Sequence, residues 1–173
     1  MSHPLVAIAA QYVGQPFHLG QSAQCAAFCW ECMGKAGYAG PRPANPSWVP
    51  DYSGADNGEP IGGKVPFASL APGDLVIFDR TYLAATSTHI GIVEQGGPSP
   101  TMIHRGTSEG VVSRASLLVP YWRSRFATGL RLQWLPAAPA APQRSPWFKL
   151  YLQQGRTQAV RDGHNVEQLD LRA

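Results

Sequence analysis

The stretch QCAAFCWEC, residues 24–32, decides how this chain is read. Its cysteines, Cys25, Cys29 and Cys32, have the CxxxCxxC spacing that can hold an iron–sulfur cluster. The same spacing sets i, i+4 and i+7 on one side of a helix, where thiols serve as small buried hydrophobes. A third reading singles out Cys25. Ser22 is a reasonable N-cap for a helix running to about Lys35, which puts Cys25 in its first turn. There the positive end of the helix dipole is expected to lower the thiol pKa and favour thiolate near neutral pH.

The bulk composition narrows the choice of fold. At 173 residues the chain suits one domain with a real core and a short appendage. Gly 18 and Pro 16 imply many turns, hence short strands and loops rather than a helical bundle. A net charge of +3 without a basic run marks no nucleic-acid site. No apolar run approaches the ~20 residues needed to span a bilayer. The start, MSHPLVAIAAQYVGQPF, lacks a basic n-region and is expected to be the first helix of the domain, not a signal peptide. Three cysteines within one helical stretch argue against a disulfide framework and leave the compartment open.

Along the chain, PLVAIAAQYV (4–13) reads as a short helix ended by Gly14, and residues 22–35 as a second ended by Gly37. Residues 38–66, rich in Pro, Gly, Asn and Asp, read as a long irregular segment of the kind that is often functional. Then the period changes to that of strands: LAPGDLVIFDR, THIGIVEQ, PTMIHRG, GVVSRAS and TGLRLQWL, with GGPSP a turn between the second and third. Asp74 is expected to cap its Pro-Gly turn. PAAPAAPQRSP, residues 136–146, reads as a stiff linker. The strand-like pieces of 147–173 are too few to fold alone and are expected to dock on the domain or on a partner. The order predicts an α+β domain over 1–135, with N-terminal helices packed on an antiparallel sheet of about five strands.

This layout bears on the cysteines. CxxxCxxC is the ligand spacing of radical-SAM enzymes, and NGEP at 57–60 resembles their Gly-Gly-Glu-Pro stretch. Their fold needs repeated βα units, and the aromatic residue usual before the last cysteine is replaced here by Glu31, with Trp30 one place early. The cluster reading is therefore set aside, and Cys29 and Cys32 are assigned to the core. Cys25 becomes a catalyst if a histidine on a facing strand holds its proton. His89 opens one strand and His104 lies on the next, so antiparallel neighbours can bring both imidazoles to one end of the sheet. In that arrangement Cys25 attacks a carbonyl, His89 takes and returns the proton, and His104 fixes the orientation and tautomer of His89.

AAQYVGQPF, LAPGDLVIF, HIGIVEQ, MIHRGTSEGVV and PYWRSRF, in this order, resemble the NlpC/p60 family of papain-like cell-wall peptidases over residues ~5 to 135. The resemblance implies a papain-like fold, Cys25, His89 and His104 as catalytic residues, and hydrolysis of amide bonds in peptidoglycan stem peptides, commonly at a D-glutamyl to diamino-acid bond, and it implies no metal or cofactor. The stretches QC and HIGIVE are also similar to the related CHAP amidases, which share the reaction class. Family members usually carry Asp-Cys-Ser-Gly at the nucleophile and a tyrosine before it. This chain has Gln24, Cys25, Ala26 and Ala27, and Phe17. The family's Asp, Ser and Tyr help recognise the free amine of a peptide beginning with L-Ala, so their loss predicts that this preference is abolished. An intact stem peptide, a cross-bridge, or the muramic acid to L-Ala bond becomes the expected target. Gln24, or Gln21, is a candidate oxyanion donor beside the Cys25 N–H. Tyr12, Phe17, His18 and Trp122 are candidates for the groove, and His3 and His164 receive no role. The alternative is a binding or structural module that keeps the fold without the chemistry. A wall hydrolase without a signal peptide would need another route, such as a phage particle or lysis, with 147–173 a candidate docking element.

Overall fold

The structure, a computed structural model, describes residues 2–20, 23–55, 58–82, 85–106 and 110–134. The linker expected at 136–146 and the extension at 147–173 lie outside the described residues.

Helix α1 spans Pro4–Ala10, with Pro4 in its first turn, where a missing N–H costs nothing. His3 caps it, Nδ1 accepting from the Leu5 N–H at 3.3 Å. It ends three residues before the predicted Val13, in turns closed by i→i+3 bonds from Gln11, Tyr12 and Val13. Helix α2 spans Gln24–Lys35, with Ala23, whose methyl cannot cap, at the cap position. The predicted cap, Ser22, lies outside the described residues. At the other end Gly37 takes φ +78°, and the N–H groups of Gly37 and Tyr38 bond back to Gly34 and Met33, closing a Schellman turn.

The segment 38–66, read from sequence as irregular, holds two elements. Helix α3 is Val49–Ser53, and strand β1 is Gly62–Val65. The buried Tyr52 fastens α3 to the nucleophile helix, its hydroxyl lying 3.0 Å from the Ala26 carbonyl and 2.7 Å from that of Pro46. The remaining elements are β2 Leu75–Phe78, β3 His89–Gln95, β4 Thr101–Arg105, β5 Val112–Ser116, the single turn α4 Pro120–Arg123, and β6 Phe126–Leu132. Among the described residues the sheet has six strands where about five were expected, all pairs antiparallel, in the order β1-β6-β2-β3-β4-β5. The added strand is β1. Its GGKV sequence has no apolar alternation, and Gly62 is where a Cβ would meet the Arg131 carbonyl oxygen at 2.6 Å.

Strand alternation divides the core in two. On one face Leu75, Ile77, Ile90, Ile92, Ile103 and Leu130 pack against α1 and α2, which supply Leu5, Phe28, Cys29, Cys32 and Met33. Each large side chain buried this way contributes roughly 1.5–3 kcal/mol. On the other face Val76, Phe78, Val93 and Met102 pack with Leu70 and Leu117, with Trp122 and Phe126 at the margin. Asp74 does cap its turn, accepting from the Ala71 N–H at 2.8 Å. It also takes a two-pronged bond from Arg131 of β6, which the sequence did not suggest. Among the described residues no helix is long and apolar enough to cross a membrane.

Candidate active site

Cys25 is the second residue of α2, and its thiol is buried against β3 with 6 % of the residue exposed. Burial pushes the thiol pKa up from its ordinary value. Hydrogen bonds from backbone at Ile90, Ala26 and Cys25 itself, and the charge of Arg105, pull the other way without overcoming it. The sequence expectation of a lowered pKa is therefore reversed: the helix terminus is present, but desolvation outweighs it. Cys29 and Cys32, one and two turns on, are fully buried, and Cys32 is pushed up to about 12 by burial. Among the described residues no group of three His, Cys, Asp or Glu could hold a metal ion.

His89 opens β3 and pairs with Phe78, one residue from the Ile90 that meets the thiol. Its Nε2 lies 3.0 Å from Nδ1 of His104 on β4. The far nitrogen of His104, Nε2, is 3.4 Å from the hydroxyl of Ser113, the residue paired with His104 on β5. The three strands thus carry a continuous polar line across one face of the sheet. Gly91 makes room for it, since a Cβ there would lie 2.8 Å from the Met102 sulfur and 3.2 Å from the His104 Cβ. Trp122 of α4 stacks on His89 with centroids 5.2 Å apart and stands edge-on to His104 at 5.1 Å. Burial, and secondarily the neighbouring His104, holds His89 down to about 3. Burial alone holds His104 down to about 4. Both imidazoles are accordingly neutral at neutral pH, the state in which one can accept a proton.

The structure brings His89, His104 and Trp122 together, and the Cys25 thiol meets the backbone of Ile90, the residue after His89. The other groove candidates lie elsewhere. Phe17 is buried in an edge-to-face cluster with Tyr12 and Phe28, and Tyr12 accepts a hydrogen bond from Lys35. His18 is exposed, and none of the three lines the histidine cavity. Gln24 turns its amide onto the preceding loop, accepting from the Leu19 N–H at 2.8 Å and donating to the Leu19 and Gly20 carbonyls. It holds the approach to α2. Gln21 lies outside the described residues. Sequence reading did not find Ser113, Gly91 or Arg105, whose places depend on strand register. Arg105 donates from Nε to the Phe17 carbonyl at 3.1 Å and bears on the thiol electrostatically.

Known proteins share this fold. The sequence profile of the NlpC/P60 family matches residues 14–131. The chain belongs to the NlpC/P60 family. It is 31 % identical over 136 residues to the gamma-DL-glutamyl hydrolase of Bacillus subtilis (strain 168), covering 74 % of this chain but 28 % of that protein. The NlpC/P60 fold seen here is similar to a lipoprotein-like NLP/P60 structure from Staphylococcus aureus subsp. aureus Mu50 (TM-score 0.55, 22 % identity, 76 % of this chain and 42 % of that one). It is also similar to an NlpC/P60 protein from Bacillus cereus ATCC 10987 (TM-score 0.53, 22 % identity, 77 % and 40 %). Family membership and the name of the Bacillus subtilis relative support a hydrolase.

Proposed function

We propose that this domain hydrolyses amide bonds of peptidoglycan stem peptides by covalent thiol catalysis, with Cys25 the nucleophile, His89 the base and His104 the residue that orients it. The observation that carries the reading is the 3.0 Å bond between His89 Nε2 and His104 Nδ1, with Cys25, at the head of α2, meeting the backbone of Ile90, the residue after His89.

The tautomers follow from what the base must do. If His89 donates from Nε2 to His104 Nδ1, its own Nδ1 keeps a lone pair for the thiol proton. His104 then carries its proton on Nε2, toward Ser113 Oγ. Because the resting thiol is held protonated by burial and both imidazoles are neutral, the proton moves to His89 as sulfur attacks the amide carbon. The imidazolium returns that proton to the departing amine nitrogen, leaving a thioester on Cys25. Water, deprotonated by His89, cleaves the thioester to a carboxylic acid and regenerates the thiol. The Cys25 N–H in the first turn of α2 is the natural donor to the oxyanion, and Gln24, tied to Leu19 and Gly20, would position that turn.

The name of the Bacillus subtilis relative points to a bond on the γ-carboxyl of a glutamyl residue. The absence of Asp and Ser beside Cys25 favours a substrate whose preceding amine is not free. The test is to digest intact peptidoglycan with the chain and its Cys25→Ala variant and identify new amine termini by mass spectrometry. New termini that vanish in the variant support the reading and name the bond. Unchanged peptidoglycan with both proteins favours a binding module with the same fold.

A further inference from the structure

His104 stands between two partners. Its Nδ1 faces His89 Nε2 at 3.0 Å, and its Nε2 faces Ser113 Oγ at 3.4 Å. A carboxylate in its place would only accept, and would by itself make His89 the donor. A neutral imidazole donates at one nitrogen and accepts at the other, so the bond between the two rings can run either way. In the forward arrangement His89 donates from Nε2, its Nδ1 is bare, and His104 carries its proton on Nε2. In the reverse one His104 donates from Nδ1, and His89 carries its proton on Nδ1 with no lone pair left there for the thiol proton. Both arrangements contain the same number of protons and the same contact between rings. They differ at the far end, where His104 Nε2 either donates to Ser113 Oγ or accepts from it.

The surroundings of Ser113 favour its acting as acceptor. Strand register sets it opposite His104, and the next residue, Arg114, turns to the other face and pairs with Glu94. Burial holds both imidazoles neutral, and no carboxylate contributes to the shift of either one. Ser113 itself is half-buried, so its hydroxyl hydrogen can turn to solvent while a lone pair faces inward. His104 is 6 % exposed, and an N–H on its Nε2 that lost this acceptor would have little water to replace it. The acceptor therefore favours the tautomer with the proton on Nε2.

We propose that Ser113 is a positioning residue: by accepting from His104 Nε2 it sets the tautomer of His104, and through it keeps His89 Nδ1 bare for the Cys25 proton. This rests on the proposed roles of Cys25, His89 and His104. Ser113 does not line the histidine cavity, so it acts through His104 and not on the substrate. Its 3.4 Å contact is long for a hydrogen bond and should shorten once His89 is an imidazolium drawing on His104 Nδ1.

The test reads the tautomers directly. Long-range proton–nitrogen correlation spectra of isotopically labelled histidine separate protonated from bare ring nitrogens. Replacing His3, His18 and His164 singly by Gln identifies the remaining signals as His89 and His104. At neutral pH the unaltered chain should carry the proton on Nε2 of both rings. In Ser113→Ala both rings should move toward averaged signals as the reverse arrangement fills. There kcat on a γ-glutamyl peptide should fall about tenfold with KM little changed, the scale of one neutral hydrogen bond. Ser113→Thr, which keeps the hydroxyl, should restore the spectrum and the rate, and thermal unfolding should show Ser113→Ala folded as before. The reverse arrangement in the unaltered chain, or tautomers unchanged in Ser113→Ala, would overturn the proposal. The spectra need no turnover: a chain that shows the forward arrangement and its loss in Ser113→Ala, yet hydrolyses no peptide, would contradict the proposed function while supporting this role of Ser113.

Discussion

His89 and His104 meet at 3.0 Å across neighbouring strands, and the meeting depends on the missing side chain of Gly91 between them. A pair of buried neutral imidazoles, one with a nitrogen on the other and a hydroxyl behind, is a device for holding a base in one tautomer. His104→Ala should lower kcat about 100-fold with little change in KM, the scale of a lost acid–base arrangement. His104→Asn, which keeps an acceptor oxygen, should recover roughly tenfold of that loss. Steady-state kinetics on a γ-glutamyl peptide checks both.

Gly91→Ala tests the packing side of the same contact. The new methyl meets the Met102 sulfur and crowds the His104 Cβ, so one of them must shift. Overpacking of this kind costs about 1–3 kcal/mol, and thermal unfolding should show it. If His104 is the one displaced, the activity loss should exceed the stability loss, since His104 is the residue proposed to orient the base.

Acid should destabilise the fold. Both histidines are held below their ordinary value of 6.5, His89 to about 3 and His104 to about 4, so the unfolded chain binds protons that the folded chain refuses. Their contribution to stability is whole above pH 6.5 and is lost as the pH falls through that window toward 3. Urea midpoints measured down this range should decline, and the decline should be shallower in His104→Gln, which has one buried imidazole fewer.

Alkylation of Cys25 should be slow at neutral pH and rise with alkali, with a midpoint above the 9.0 of an ordinary thiol. Arg105→Gln removes a charge that lowers the thiol pKa, so its midpoint should lie higher still. Peptide mapping should find the label on Cys25 alone while the fold is intact, because Cys29 and Cys32 are fully buried. A midpoint below 9.0 would mean that the helix terminus wins over burial after all.

The sequence was informative where local pattern carries the physics. THIGIVEQ and PTMIHRG are apolar runs separated by a Gly/Pro turn, and they fold as adjacent β3 and β4. Gly37 ends α2 because the turn needs a left-handed residue there. It was uninformative where tertiary contact decides. GGKV has no strand signature, and it pairs because β6 offers an edge and Gly62 permits the approach. Ser113 sits in GVVSRAS like any strand serine, and only the register of β4 and β5 aims it at His104. The helix-terminus argument for Cys25 was sound as local electrostatics, but the packing that desolvates the thiol involves β3, about 65 residues away.

The central claim is that Cys25 carries the acyl group in mid-reaction. The direct measurement is intact-protein mass spectrometry of acid-quenched mixtures with a γ-glutamyl peptide, taken during the first turnovers. The account predicts an added acyl mass that maps to Cys25, accumulates in His104→Ala as deacylation slows, and is absent from Cys25→Ala. Product release at an undiminished rate by Cys25→Ala, with no adduct on the unaltered chain, would contradict it.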